Sequence, residues 1–326
     1  MSRLSGWLPN GRTRILGIVG RPLEHSLSPT LQTAVLRALD RNLIYLPLPV
    51  SEDRLPALLA EAPGLGILGF NVTTPYKETV ARLVRPLDEE TARTGMVNTV
   101  VIGDGRPVGC GTDGAGILRY LETAGLGGMP YGVLGFGATA RSLTHRGWLD
   151  GHAPAVIVTR RPDEVRAVLA SWSEARSEPD MRVAGDARST PPAQNGLAER
   201  VGPAERITVA SWDDLGMHSG RVEARMASLL RPEVWVSTLR PNIPTLPDQF
   251  WAWAGSKMVL LDLNYGFDRT VRMEEARTHG WLSADGLGPL CCQAALSLSL
   301  WLGEDVPVGM YVRALGRTER SLRPGC

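Results

Sequence analysis

The sequence predicts an α/β protein of two domains, each built on a mainly parallel sheet. Three observations lead there. Short apolar, β-branched runs alternate with stretches of helical spacing, the pattern of strands joined by crossover helices. The chain's 326 residues and 43% hydrophobic content suit two cores rather than one small one. A glycine-rich turn opens a second round of alternation well inside the chain.

In the first domain, Arg14-Ile15-Leu16-Gly17-Ile18-Val19-Gly20 is a buried strand ending in glycine. Residues 29–39 carry Leu31, Ala34, Val35 and Ala38 on one helical stripe. Residues 43–50 form a strand that Pro47 and Pro49 assign to a sheet edge or cut short. A helix over 55–62, a strand over 66–72, a helix over 79–87 and a strand over 97–102 follow. The last of these turns at Gly103-Asp104-Gly105, a hairpin signal. In the second domain a helix is expected over 115–124, a strand over 132–135, a helix over 139–148 and a strand over 155–158. A helix over 163–172 and strands at 207–209, 234–237 and 258–262 come next. Residues 288–302 form a helix that is apolar on most faces and so packs between layers. Residues 173–205, polar and rich in Pro, Gly, Ser and Arg, read as a flexible surface insertion. The expected domains are 1–113, completed by 286–326, and 114–285.

Composition narrows the function. Lysine plus arginine number 35 and aspartate plus glutamate 34, so nothing favours a polyanionic partner such as nucleic acid. No apolar run reaches the roughly 18 residues of a membrane span, and the N-terminus has no signal-peptide core. The four cysteines have no CxxC spacing, and no metal site is expected. Reduced thiols in a cytoplasm are the expected state.

The turn Gly135-Phe136-Gly137-Ala138-Thr139-Ala140 sits between a strand and a helix and matches G-x-G-x-x-A. The first glycine makes the turn, the second lets a pyrophosphate approach, and the small third position packs helix against strand. Phosphate would then meet the N–H groups and positive end of a helix dipole. This marks a Rossmann-type dinucleotide domain over 114–285. The next strand ends Thr159-Arg160-Arg161, where an NAD site would carry an acid. An arginine fork matches a 2′-phosphate, so the pair favours NADP(H). A solvated basic turn is the plainer reading of the same residues.

Three polar clusters punctuate the first domain. His25-Ser26-Leu27-Ser28-Pro29 offers two hydroxyls, which equally well cap the helix that Pro29 starts. Asn71-Val72-Thr73-Thr74-Pro75-Tyr76-Lys77 follows an apolar strand; Lys77 on its own reads as a surface charge. Asn98-Thr99 is followed by Thr112-Asp113-Gly114 at the domain junction, where Asp113 alone reads as a turn residue.

Taken together, these clusters resemble the shikimate dehydrogenase family, including its quinate/shikimate branch. The resemblance runs from Gly17 to Pro307 and extends to Asp262-Leu263-Asn264-Tyr265 and Gln293-Ala294. It implies a substrate domain at 1–113, an NADP-binding domain at 114–285, and reversible reduction of 3-dehydroshikimate to shikimate. Lys77 and Asp113 would be the catalytic pair. Ser26 and Ser28 would hold the substrate carboxylate, and Asn71, Thr73, Asn98 and Gln293 the ring hydroxyls. Tyr265 would lie near the carboxylate and the nicotinamide, and Thr238, after the strand at 234–237, near the cofactor. Monomers or homodimers are expected. The chain departs from the family pattern at Gly111, Tyr76, Val236-Ser237 and Phe267. The changed loop after the strand at 234–237 and the insertion keep open a dehydrogenase for quinate, an aminoshikimate or another cyclitol acid; a non-catalytic metabolite or cofactor sensor, against which Lys77 and Asp113 argue, is a reading of another class.

Overall fold

A computed structural model describes residues 8–103, 105–174, 203–212, 214, 232–241, 243, 245–254, 258–266 and 271–325. These form two compact units, Met1–Thr112 with Cys291–Thr318, and Asp113–Leu290 with Glu319–Cys326. The boundary near the C-terminus thus falls at Cys291 rather than at 286. The last residues group with the second unit, where the Tyr120 hydroxyl donates to the Leu322 carbonyl at 2.6 Å.

The first unit contains strands β1 (Arg14–Val19), β2 (Leu43–Leu48), β3 (Ile67–Val72), β4 (Arg85–Pro86), β5 (Thr99–Val101) and β6 (Val108–Cys110). Its helices are α1 (Ser28–Ala38), α2 (Leu55–Glu61), α3 (Lys77–Leu83) and α4 (Glu89–Thr94). The strand order is β2-β1-β3-β5-β6-β4. β1 pairs in parallel with β2 and β3, and β5 runs antiparallel to β3 and β6. β2 is an edge strand and stops at Leu48, as Pro47 and Pro49 require. Val19, Leu55, Phe70, Val72, Val80 and Val100 pack beside this sheet as one core.

Expectation and structure part company between residues 79 and 97. The helix expected over 79–87 spans Lys77–Leu83. Pro86 biases Arg85 away from helical backbone, and the chain instead extends to pair with β6. The unexpected α4 begins where the Asp88 carboxylate accepts the Thr91 N–H at 2.8 Å, and ends at Gly95 in the left-handed region.

The second unit contains β7 (Tyr131–Leu134), β8 (Val156–Thr159), β9 (Thr208–Ser211), β10 (Val234–Ser237), β11 (Val259–Asp262) and β12 (Leu282–Ala284). Its described helices are α5 (Asp113–Thr123), α6 (Ala138–Leu149), α7 (Pro162–Glu174), α8 (Pro203–Arg206), α9 (Asp248–Ala254) and α10 (Val271–Thr278). α9, α10 and β12 were not expected from sequence. α11 (Leu287–Leu302) starts in the second unit and ends in the first, and α12 (Val308–Ala314) follows it. All five strand pairs are parallel, in the order β12-β11-β10-β7-β8-β9. Numbered along this unit, that is the 3-2-1-4-5-6 order of a doubly wound sheet, with its switch point between β7 and β10. The four central strands are buried throughout, as parallel strands covered on both faces are. Trp235, Phe250, Trp251 and Trp281 dominate the core on one side. Of the insertion expected at 173–205, its first two residues finish α7 and Pro203–Glu205 lie in α8; residues 175–202 lie outside those described.

Candidate active site

In the first unit, the chemistry-bearing side chains gather at the carboxyl end of β3. Asn71, the fifth residue of β3, is buried, and its amide is engaged inside the protein. Its Nδ2 donates to the Asn98 carbonyl (3.1 Å), Thr99 Oγ1 (3.1 Å) and Ser297 Oγ (3.0 Å), while its Oδ1 accepts the Tyr45 hydroxyl at 2.7 Å. Asn98 is oriented by the same cluster. Its Oδ1 accepts the Thr112 N–H at 2.7 Å, and its Nδ2 donates to Thr112 Oγ1 (3.0 Å) and Gln293 Oε1 (3.4 Å). These contacts fix the amide orientations: Asn98 accepts through its oxygen and donates through its nitrogen, and Gln293 accepts through its oxygen. Ser297 lies four residues after Gln293 on α11, hence on the same helix face, and hydrogen-bonds with Thr99 (2.8 Å) and Thr112 (3.1 Å).

The structure therefore brings Asn71, Asn98 and Gln293 into one network, with Tyr45, Thr99, Thr112 and Ser297 as members. Tyr45 and Ser297 were missed in the sequence. The four-residue spacing from Gln293 to Ser297 was a usable signal for the second; nothing local marked Tyr45.

Lys77 is the first residue of α3 and is half-buried. Its carbonyl accepts the Val97 N–H at 3.1 Å, which ties the start of α3 to the residue before Asn98. The Thr73 N–H donates to the Val19 carbonyl at 2.9 Å, joining that loop to the end of β1. Ser28 begins α1, and Ser26 stands two residues before it. The N-cap residue is Leu27 and no side chain caps the helix; Ser26 Oγ accepts the Ser28 N–H at 3.3 Å. Gln32, one turn further, donates to the Ala294 carbonyl at 3.2 Å and accepts the Tyr311 hydroxyl at 2.6 Å. The serine-bearing helix is thereby fastened to α11 beside Gln293. Burial pushes the Tyr311 phenol well above its ordinary pKa, so it stays a donor.

In the second unit, Asp113 opens α5, and its Oδ2 accepts the Thr139 hydroxyl at 3.4 Å. Thr139 belongs to the glycine turn, so the carboxylate and the turn are held together. Gly114 lets α5 and α6 approach closely: a Cβ there would stand 2.5 Å from the Ser142 carbonyl oxygen, and its N–H donates to Ser142 Oγ at 3.0 Å.

The turn itself suits a dinucleotide. Gly135 has φ +89°, a conformation that favours glycine. A side chain at Gly137 would meet nothing within 4 Å, and no side chain caps α6, so the helix N-terminus opens on space. Ala138 is the first helical residue and Ala140 is fully buried, as close packing of helix on strand asks. Thr238 follows β10 across the switch point, and its hydroxyl donates to the Leu134 carbonyl at 2.9 Å.

Past β8 the two arginines diverge. Thr159 is buried, and its Oγ1 accepts the Arg161 N–H at 3.2 Å. Arg161 is exposed and pairs with Glu164 at 2.9 Å. Arg160 instead lines a pocket of about 490 Å³ with Ser211, Trp212, Leu239, Ile243 and Leu246. The arrangement fits a phosphorylated dinucleotide: a phosphate cradle at the turn, and an arginine in a part-apolar pocket one strand away. Tyr265 follows β11 in the loop after Asp262 and is half-buried. Among the described residues no group of acidic, histidine or cysteine side chains could hold a metal ion. Nor is any helix long and apolar enough to cross a membrane. Cys110, Cys291 and Cys292 are buried, none in a disulfide. Burial raises the Cys110 thiol well above its ordinary pKa, with Asp88 and Glu90 adding to the shift.

Fold and site thus define a two-unit α/β protein with a doubly wound dinucleotide unit and an amide- and hydroxyl-rich unit preceding it. Residues 18–100 match the family described as shikimate dehydrogenase substrate binding domain. The shikimate dehydrogenase (NADP(+)) of Methanopyrus kandleri is 32% identical over 312 residues, covering 94% of this chain and 96% of that one. The solved shikimate 5-dehydrogenase of Listeria monocytogenes in complex with shikimate and NAD superposes with a TM-score of 0.73 at 22% identity, over 95% of this chain and 99% of that one. That of Thermus thermophilus, in complex with NADP(H) and shikimate, gives 0.70 at 22% identity over the same shares. The chain belongs to the shikimate dehydrogenase family.

Proposed function

We propose that this chain catalyses the reversible NADP(H)-dependent reduction of 3-dehydroshikimate to shikimate. The observation that carries the reading is the oriented cluster of Asn98, Thr112 and Gln293 beside the start of α3, where Lys77 sits. A polyhydroxylated ring needs such fixed amides and hydroxyls, and the carbinol being oxidised needs a proton-handling group next to them. The first unit is the substrate side and the second the cofactor side. NADP⁺, held at the glycine turn, would supply the hydride acceptor for the carbinol carbon.

The chain's own residues do the rest. Ser26 and Ser28 donate hydroxyl hydrogen bonds to the substrate carboxylate. Asn98, Thr73 and Gln293 orient the ring hydroxyls, with Asn71 holding Asn98 in place. Lys77 and Asp113 act as one pair at the reacting hydroxyl: they receive its proton on oxidation, return it on reduction, and the Lys77 cation stabilises the developing alkoxide. Tyr265 lies along the carboxylate. Thr238 pins the loop after β10, and Arg160 answers the 2′-phosphate. Buried thiols outside any disulfide fit a cytoplasmic enzyme, monomeric or homodimeric.

The test is an absorbance assay of purified protein with shikimate and NADP⁺, then NAD⁺, and with quinate in place of shikimate. The expected result is turnover of shikimate with NADP⁺ preferred. Turnover of quinate alone would reassign the substrate. Shikimate-induced stabilisation without any reduction of the cofactor would favour a sensor.

A further inference from the structure

Helix α10 carries two side chains that the proposed chemistry does not use. Arg272 is 1% exposed, and its guanidinium meets the Asp262 carboxylate fork to fork, Nε to Oδ2 at 2.9 Å and Nη2 to Oδ1 at 3.3 Å. Its remaining donors go to backbone carbonyls: Leu239 and Arg240, each at 3.3 Å, and Ile243. Asn264 Nδ2 adds a bond to the Leu239 carbonyl at 2.8 Å and one to Asp262 Oδ1 at 2.7 Å. One turn along α10, Glu275 Oε2 accepts the Leu246 N–H at 3.1 Å.

Every one of those carbonyls, and that N–H, belongs to the segment after β10. The segment reads Leu239-Arg240-Pro241-Asn242-Ile243-Pro244-Thr245-Leu246-Pro247. Its prolines have no N–H to give a ladder, and beyond the Ile243 N–H to Arg240 carbonyl bond at 3.1 Å its described carbonyls turn to partners outside the segment. A guanidinium has five donors in one plane and can serve a carboxylate and several carbonyls at once; an ammonium cannot. Burying a charge pair is costly, so such a pair serves position more readily than stability. What it positions is the pocket wall: Leu239, Ile243 and Leu246 line the pocket that Arg160 also lines.

We propose that Arg272 and Glu275 are positioning residues that clamp Leu239, Arg240, Ile243 and Leu246 and so set the affinity for the adenosine-phosphate end of the cofactor. The proposal rests on the cofactor reading above. It is tested on the full-length chain by calorimetric titration with NADP⁺, steady-state kinetics and thermal melting, for wild type, R272K, E275A and E274A. Glu274 is exposed on the same helix and serves as the control.

The expected result is a weaker NADP⁺ Kd, by about tenfold for R272K and about threefold for E275A, on the scale of one hydrogen bond lost. The KM for shikimate should stay within about twofold and E274A should match wild type. A purely structural role would lower the melting temperature and leave the Kd, measured well below it, unchanged. Should R272K fail to fold, E275A, whose side chain is only half-buried, decides. Folded variants with wild-type Kd overturn this proposal alone. A wild-type chain that binds no NADP⁺ overturns the cofactor reading and the proposal with it.

Discussion

Arg160 and Arg161 are neighbours of one residue type with different surroundings. Arg161 is spent on an exposed pair with Glu164, a contact worth little in water. Arg160 lines the pocket. An arginine that holds a phosphate through charge-assisted bonds contributes roughly 1.5–3 kcal/mol, which is about 10- to 100-fold in affinity. Arg160→Ala should therefore raise the KM for NADP⁺ by about that factor and leave the KM for NAD⁺ nearly unchanged, while Arg161→Ala should leave both KM values nearly unchanged. Paired initial-rate measurements with the two cofactors check this; equal losses on both cofactors would remove the 2′-phosphate assignment. The dipeptide was legible in the sequence, but which arginine faces the pocket was not. That depends on Glu164 capturing one of them and on Leu239 and Ile243 arriving from far along the chain.

At the scale of elements, the carboxyl end of β9 is shaped by a reciprocal pair. The Ser211 N–H donates to Asp214 Oδ2 at 2.7 Å, and the Asp214 N–H donates to Ser211 Oγ at 3.0 Å. Hydrogen bonding from Ser211 holds the Asp214 carboxyl below the ordinary carboxylate range, the Ser211 backbone N–H first and its side chain second. A carboxylate whose pKa is lower folded than unfolded adds stability above its unfolded pKa and loses it as pH falls through the folded value. Asp214→Asn should thus melt earlier than wild type near neutral pH, and the gap should close below about pH 4, where the unfolded group protonates. Melting curves from pH 7 to pH 3 test this; a gap independent of pH would mean that the carboxylate's charge is not involved.

Legibility at this scale followed local chemistry. Strands β1, β3, β7, β8, β10 and β11 announce themselves as apolar β-branched runs, and the glycine turn as a spacing. α4 had its signals too, Asp88 at one end and Gly95 at the other, but its six residues show no apolar stripe. The α10 clamp was hidden for a physical reason. Val271-Arg272-Met273-Glu274-Glu275 looks like a solvated helix, and Arg272 is buried only because Asp262 and three carbonyls meet it there.

For the whole molecule, the central claim concerns two residues in different units, Lys77 in the first and Asp113 in the second. Each was legible only through its motif, since a lysine in a polar loop and an aspartate before glycine are unremarkable alone. The network around Asn71 was less legible still, because its partner Ser297 lies 226 residues away. Groups that act as one catalytic unit give non-additive losses. The most direct measurement is therefore kcat for Lys77→Ala, Asp113→Asn and the double variant, with shikimate and NADP⁺ both saturating. Each single change should lower kcat by about 10²- to 10⁴-fold, with the KM for shikimate moving only a few-fold, and the double variant should be little worse than the weaker single. Losses that multiply in the double variant, or a Lys77→Ala enzyme that turns over normally, would contradict the pairing.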